Sequence, residues 1–258
     1  MQAAILAGGL GTRLRPLTNS VPKAMIPVNG RPFLEYEVDL LRKNEINDLV
    51  LCLGYLGEQV EEHFGDGTRF GVKVRYSHDG NELLGPIGGL KMAERLLEDE
   101  FFVTYGDAYL RTNYAEMMAT LRRSTKPAVM AVYKNEGKLG KSDVIAKDGL
   151  VTAYDKKKTL PGMIWVNFGV SAMKKEALRS VVAGKFCDEE TFYGGLVKRR
   201  QLAAYETFER FYEIGSERSL AEFRDFVSSP VQNETGRVRK LVGDLRKRDR
   251  GEMPPDPA

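Results

Sequence analysis

Cysteine, histidine and tryptophan are scarce in this 258-residue chain: Cys52 and Cys187, His63 and His78, and Trp165 are the full set. Two thiols cannot build a disulfide framework, no CxxC spacing is present to hold zinc, and two histidines exclude a histidine-rich metal centre. Charge of one sign is lacking too. Against 39 Lys+Arg stand 36 Asp+Glu, a net of +3, which leaves no nucleic-acid footprint by itself. No apolar run approaches the roughly 18–20 residues of a membrane span. The opening Met1-Gln2-Ala3-Ala4-Ile5-Leu6 lacks the basic region of a secretory signal. There is no Ser/Gly-rich linker and no internal repeat. With 42% hydrophobic and 29% charged residues, the expectation is a reduced, cytoplasmic globular protein able to bury a sizeable core.

What is present is an alternation of short apolar runs with amphipathic stretches. Residues 3–6, 48–53, 72–76 and 101–105 read as strands, several of them apolar on both faces, as strands covered by helices must be. In 33–43 the apolar Leu34, Val38 and Leu41 fall at i, i+4 and i+7. Residues 56–64, 89–97 and 113–123 carry similar helical patterns, the last behind a candidate N-cap, Asn113. Strand and helix in repeated order predict an α/β fold: a Rossmann-like open, mostly parallel sheet with helices on both faces. After about residue 126 the pattern turns mixed. Strands are expected at 128–133, 143–146, 150–154, 164–171 and 203–207, with a hairpin turn at Lys147-Asp148-Gly149. Helices are expected at 174–182, 189–201 and 217–227. One domain over 1–230 is expected, its halves meeting near 126/127. A charged tail, 231–258, follows with a basic cluster at Arg246-Lys247-Arg248.

The first strand ends in Leu6-Ala7-Gly8-Gly9-Leu10-Gly11-Thr12-Arg13-Leu14-Arg15-Pro16-Leu17. Three glycines after a parallel strand let backbone N–H groups approach a polyanion with no Cβ in the way. Arg13, Arg15 and Lys23 add positive charge, and carboxyl ends of strands are where open α/β sheets bind ligands. A P-loop would need a Lys-Ser/Thr pair after the glycines, and none follows. The dinucleotide fingerprint meets Leu14 where its third glycine belongs, and Pro16 and Pro22 interrupt any helix that would open there.

The string Gly8-Gly9-x-Gly11-Thr12-Arg13-Leu14-x-Pro16-Leu17-Thr18, closed by Pro22-Lys23, resembles the signature of the sugar-1-phosphate nucleotidylyltransferases. These enzymes join a nucleoside triphosphate to a sugar 1-phosphate and release pyrophosphate. Further segments agree in order: Pro32-Phe33-Leu34-Glu35-Tyr36, Leu84-Gly85-Pro86-Ile87-Gly88-Gly89-Leu90, Gly106-Asp107-Ala108, Asp155-Lys156, Trp165-Val166-Asn167-Phe168-Gly169-Val170 and Tyr212-Glu213-Ile214-Gly215-Ser216. The resemblance implies a nucleotide-binding half, about 1–126, and a sugar-binding half, about 127–230. It implies that Leu6, Gly8, Gly9, Gly11 and Thr12 cradle the nucleotide, with Glu82, Gly85 and Gly88 edging base and ribose. Arg13 would neutralise the departing pyrophosphate and Lys23 would bridge the reacting phosphates. Asp107 would hold Mg²⁺, and Lys156, Asn167 and Gly169 would hold the sugar phosphate. The partners implied are an NTP and a sugar 1-phosphate, with no nucleic acid and no membrane; a homo-oligomer is left open.

Two departures stand out. Glu213 occupies the position where the family commonly places a second metal aspartate, and a glutamate is one methylene longer. Pro86-Ile87 replaces the usual Thr-Ala or Thr-Gly of the base loop and removes an N–H donor. Met1-Gln2-Ala3 and Pro32-Phe33-Leu34-Glu35-Tyr36 resemble the heptose 1-phosphate guanylyltransferases, and that local resemblance ranks guanylyl transfer to a heptose or mannose 1-phosphate first. Uridylyl or thymidylyl transfer to a hexose 1-phosphate and cytidylyl transfer to a non-sugar phosphate stand behind it, as does a catalytically silent regulatory subunit. A nicotinamide enzyme ranks last.

Overall fold

β1 (Gln2–Ala7) can run through the centre of a sheet because neither face carries charge: Ala3 and Ile5 join one apolar layer, Ala4 and Leu6 the other. The computed structural model describes residues 1–80, 82–135 and 141–229. After β1 come a small hairpin, β2 (Pro27–Val28) and β3 (Arg31–Pro32), then α1 (Phe33–Lys43), β4 (Asp48–Leu53) and α2 (Gly57–Phe64). β5 (Lys73–His78), α3 (Gly85–Met92), β6 (Glu100–Tyr105), β7 (Ala108–Tyr109) and α4 (Tyr114–Arg123) complete the first half. The second half holds β8 (Ala128–Lys134), β9 (Val144–Lys147), β10 (Leu150–Tyr154), β11 (Trp165–Lys174) and α5 (Glu189–Lys198). It closes with β12 (Leu202–Thr207), β13 (Tyr212–Glu213) and α6 (Glu217–Ser228). The basic cluster of the tail lies outside the described residues.

Among the described residues, nine strands form one sheet in the order β5-β4-β1-β6-β11-β8-β12-β10-β9. The β5-β4-β1-β6 block is parallel, β11 turns antiparallel against both β6 and β8, and β8–β12 is parallel again. The sheet is thus mostly parallel in the first half and mixed in the second. Period-two alternation along each strand feeds the two layers. Leu34, Val38 and Leu41 of α1, Val60 of α2 and Met117 and Leu121 of α4 cover one face. Ile87 and Leu90 of α3 with Phe192 and Leu196 of α5 cover the other. Each fully buried Leu or Ile contributes on the order of 1.5–3 kcal/mol. A third, aromatic-rich cluster seats α6: Phe223 packs on Phe33 at 4.9 Å between ring centroids, and Leu14 and Ile214 fill in below.

Local signals set most boundaries. Asn113 Oδ1 accepts from the Glu116 N–H at 3.0 Å, capping α4, and Ser216 with Ser219 forms a reciprocal capping box on α6. Asp148 (φ 52°) and Gly149 (φ 73°) make the tight β9–β10 turn. Three expectations shift. The helix read at 89–97 begins at Gly85 and ends at Met92, because Pro86 in its first turn starts a helix without loss. The helix read at 174–182 is a short 3-10 segment, Lys175–Ser180, because β11 runs on to Lys174 to pair with Glu100. The third strand extends to His78, since its pairing with β4 continues to Leu53. Among the described residues, no helix is long and apolar enough to cross a membrane.

Among the described residues one charged side chain is buried in this frame. Glu37 of α1 is 2% exposed; its Oε1 accepts from Thr104 Oγ1 at 2.9 Å and its Oε2 has no partner among the described residues. Burial pushes its carboxyl well above the usual range, Thr104 opposes this, and the Asp107 charge adds to it. The unfolded chain releases this proton in the ordinary glutamate range while the fold retains it. The folded state therefore binds more protons, and stability falls as pH rises above that range. Relative to wild type, Glu37→Gln should gain about 1 kcal/mol per pH unit between roughly pH 5 and 7 in urea unfolding. Parallel pH profiles would show that Glu37 is ionised in the fold.

Candidate active site

The carboxyl ends of β1, β4 and β6 converge, and glycine allows them to do so. A Cβ on Gly54 would lie 2.7 Å from the Gly8 carbonyl oxygen, and one on Gly106 would lie 2.9 Å from Ala7 Cβ. The Tyr55 N–H donates to Gly8 O at 3.3 Å and the Gly106 N–H to Leu6 O at 3.0 Å, so the strand ends are stitched side by side. Gly11 adopts a left-handed φ of 61°, and a Cβ there would strike Thr18 Cγ2 at 2.8 Å. Its carbonyl accepts from the Leu14 N–H and from Thr18 Oγ1, both at 2.9 Å, which folds the loop back over the segment that carries Lys23. Gly9, by contrast, faces no described atom within 4 Å. No α-helix opens at this loop; Thr12–Leu14, Leu17–Asn19 and Lys23–Met25 are 3-10 turns, as the prolines require.

These elements enclose a cavity of about 430 Å³. Leu6, Gly8, Gly9, Gly11, Thr12, Arg13, Lys23, Gly85 and Asp107 all line it, so nine of the residues singled out from the sequence meet in one space. Lys23 Nζ pairs with Asp107 Oδ2, and both side chains are mostly sheltered, at 14% and 32% exposure. Among the described residues no group of three or more His, Cys, Asp or Glu gathers as a metal centre. Asp107 offers one hard oxygen donor beside an open phosphate-sized loop. That suits Mg²⁺, which takes one or two carboxylates and completes its shell with phosphate oxygens and water. Glu213 sits one strand away, in register with Ala108, and its Oε2 accepts from the Gly215 N–H at 2.6 Å.

Several lining residues carry no motif. Asp79 follows β5 directly; its Oδ2 accepts from the Leu84 N–H at 3.2 Å. Burial pushes its carboxyl up, against the pull of that N–H and of His78. Cys52 lies deeper, and burial together with the Asp79 charge pushes its thiol up to about 12, so it is inert at neutral pH. Leu83 and Phe186 form an apolar lip, at 41% and 67% exposure. Phe186 comes from the second half, and a backbone seam holds it there. The Cys187 N–H donates to Leu84 O at 2.8 Å, and Cys187 O accepts from the Ile87 and Gly88 N–H groups at 3.1 and 3.2 Å. Cys187 thereby caps the start of α3. Gly88 belongs to this seam and not to the cavity wall: a Cβ there would lie 2.7 Å from Lys185 O. The signal for Asp79 was its position at the carboxyl end of a parallel strand. Nothing local marks Phe186, more than one hundred residues from the glycine loop.

Glu82, Lys156, Asn167 and Gly169 do not line the cavity. Glu82 is exposed on the approach to α3. The other three belong to a polar cluster in the second half. Lys156 Nζ pairs with Glu189 Oε2, the Asn167 N–H donates to Asp143 Oδ1 at 2.8 Å, and the Gly169 N–H donates to Asn167 Oδ1 at 3.1 Å. Gly169 has φ 93°, and the β11–β8 register breaks between Asn167 and Ser171. The Asn-x-Gly sequence is thus a bulge in which Asn167 holds the glycine's N–H. Tyr105 links the two regions: it lines the cavity, and burial raises its hydroxyl with help from the charges of Tyr193 and Glu189.

A family model described as "Nucleotidyl transferase" matches residues 2–140. A UTP–glucose-1-phosphate uridylyltransferase of Synechocystis is 33% identical over 171 residues, 62% of this chain and 43% of that protein. The chain therefore spans less than half the length of that relative. A D-glycero-alpha-D-manno-heptose 1-phosphate guanylyltransferase of Campylobacter jejuni is 28% identical over 215 residues, covering 83% of this chain and 95% of that protein. In architecture the chain is similar to HddC from Yersinia pseudotuberculosis, solved with GMP-PN, at a TM-score of 0.72 and 23% identity over 88% of this chain and 99% of that one.

The seam and the open loop make opposite demands on glycine. Gly88→Ala should cost about 1–3 kcal/mol by overpacking against the Lys185 backbone. Gly9→Ala should leave thermal melting unchanged, since its Cβ enters open space. Equal melting of both variants would show that the 185–187 seam is not closed in solution.

Proposed function

We propose, from the premise that the chain belongs to the nucleotidyl transferase family, that it joins a nucleoside triphosphate to a sugar 1-phosphate and releases pyrophosphate. The observation that carries this reading is the Lys23–Asp107 pair beneath an open glycine loop, with Arg13 at the rim of the same cavity. The substrate is a GTP with a heptose or mannose 1-phosphate, supported by the guanylyltransferase relative that the chain matches over nearly its whole length. Uridylyl transfer to a hexose 1-phosphate is the second reading, favoured by the Synechocystis relative.

A phosphate oxygen of the sugar 1-phosphate attacks the α-phosphorus, a new P–O bond forms, and the bond to the bridging oxygen of the β-phosphate breaks. Both reactants are anions, so the obstacle is mutual repulsion, and positioning with charge neutralisation supplies the rate. The N–H groups of Gly8, Gly9, Gly11 and Thr12 hold the β- and γ-phosphates, and Leu6 lies next to the last residue of the strand that aims them. Arg13 neutralises charge on the departing pyrophosphate. Lys23 leaves Asp107 for the α-phosphate and the incoming phosphate, where negative charge builds up. Asp107, freed of Lys23, would hold Mg²⁺, and Glu213, released from the Gly215 N–H, would be its second carboxylate. Bound Mg²⁺ supplies screening of the phosphate oxygens. Gly85 lines the base end of the cavity, Gly88 supports it through the seam, and Glu82 reaches the ribose from outside. Lys156 takes the sugar phosphate by exchanging Glu189, while Asn167 and the Gly169 bulge face the sugar hydroxyls. The nucleotide half and sugar half work as one domain over 1–230.

A matrix of four NTPs against several sugar 1-phosphates, read as pyrophosphate release, should show turnover with GTP and a manno-configured sugar phosphate. Turnover with UTP alone would move the assignment to the second reading, and release with no pair would remove it. Lys23→Ala should lower kcat by roughly 100- to 1,000-fold with KM changed only a few-fold. A loss confined to KM would mean that Lys23 binds substrate and transition state alike. Asp107→Asn should abolish Mg²⁺-dependent turnover with an unchanged circular dichroism spectrum. A fully active Asn variant would place the metal elsewhere.

A further inference from the structure

Asp143 is a carboxylate of the second half that no step of the proposed transfer uses. It stands just before β9 and is pinned through its backbone: its N–H donates to Trp165 O at 3.0 Å and its carbonyl accepts from the Asp155 N–H at 2.9 Å. Its Oδ1 accepts from the Asn167 N–H at 2.8 Å, which turns the side chain toward the polar cluster around Lys156. Glu189, the first residue of α5, reaches the same cluster, where it is 13% exposed and pairs with Lys156. Burial raises the Asp143 carboxyl, the Asn167 N–H and Lys156 oppose this, and the Glu189 charge adds to it. Burial also raises the hydroxyls of Tyr154 and Tyr193, and the Glu189 charge adds to both, so these rings stand within its field.

Two carboxylates thus share one lysine, and among the described residues Asp143 makes no ion pair of its own. When Lys156 leaves Glu189 for the sugar phosphate, both carboxylates lose their cation in a sheltered place, next to a further anion. Like charges so placed repel, and a partly buried charge without a partner is unfavourable. Sugar hydroxyls offer hydrogen bonds but no compensating charge. We propose that the sugar 1-phosphate accepted here carries a protonated amino group, held by Asp143 and Glu189 when Lys156 turns to the phosphate. An ammonium presents three donors and no acceptor, which matches two carboxylates and a tyrosine hydroxyl. It restores the positive charge that Lys156 withdraws, and it leaves the Asn167 side chain to the remaining hydroxyls. The inference rests on the proposed transfer to a sugar 1-phosphate and names a class within those substrates; an amino group in place of one ring hydroxyl is compatible with a manno configuration.

Pyrophosphate release is measured with GTP and with UTP over mannose and glucose 1-phosphates, their amino-deoxy counterparts at each ring position, and the N-acetyl forms of these. Wild type should prefer one amino-deoxy sugar phosphate over its parent by roughly 10- to 100-fold in kcat/KM, the range of a charge-assisted hydrogen bond. The N-acetyl form, which keeps an N–H but no charge, should fall to the level of the parent or below. In Asp143→Asn, whose amide oxygen still accepts from the Asn167 N–H, the amino-to-parent ratio should fall toward one. A parent sugar phosphate used as well as every amino counterpart by wild type would overturn the proposal, with no variant needed. An undiminished ratio in a folded Asp143→Asn, checked by circular dichroism, would overturn it as well. Pyrophosphate release with no sugar phosphate of either kind would instead remove the transfer reading on which it stands.

Discussion

Backbone strands can approach to within van der Waals contact of one another only where no side chain stands between them, and the cavity depends on this. Gly54 against Gly8, and Gly106 against Ala7, bring the ends of β4, β1 and β6 into a single rim. Without those two contacts Asp107 and Lys23 would not share a site with the glycine loop. The same device recurs at α3, where Gly85 and Gly88 admit the backbone of 185–187 and so bring a residue of the second half to the cavity mouth. Glycine therefore acts here in two ways. At Gly8, Gly54, Gly88 and Gly106 it is filled by protein, and at Gly9 it is left open.

The electrostatics follow from that geometry. The cavity holds Arg13 and Lys23 against Asp107 and Asp79, so the free protein balances its own charges. Lys23 and Asp107 neutralise each other in the free protein, and under the proposed function a polyanion and a cation would take one partner each. Lys156 and Glu189 repeat the pattern in the second half. Each pair is an exchangeable contact, partly sheltered and close to water, so its disruption costs little compared with that of a deeply buried ion pair. Glu37 supplies the contrast: it is buried under α1, Thr104 is its one side-chain partner among the described residues, and burial pushes its carboxyl well above the usual range.

Much of this was legible in the chain itself. The covered strands betray themselves by apolar residues on both faces, and α1 by Leu34, Val38 and Leu41. Asn113 and Asp148-Gly149 mark a cap and a turn through chemistry confined to a few neighbours. The glycine loop and Lys23 stand in one short motif, and Asp107 belongs to a separate segment, Gly106-Asp107-Ala108, that the same resemblance picks out. What was not legible depends on distance. The start of α3 is completed by a carbonyl from Cys187, and the 3-10 character of 175–180 by how far β11 pairs with β6. Phe186 reaches the cavity only through the seam. Asp79 lies in a stretch with no motif and becomes a site residue because β5 extends to His78 beside β4.

Under the proposed function the triphosphate lies on the loop after β1 and draws Lys23 away from Asp107. A crystal structure of the protein with Mg²⁺ and a non-hydrolysable GTP analogue tests it directly. Phosphate oxygens are expected on the N–H groups of 8–12, with Lys23 Nζ on a phosphate and Asp107 on the metal. A nucleotide bound elsewhere, or phosphates in the cavity with the Lys23–Asp107 pair intact, would contradict it.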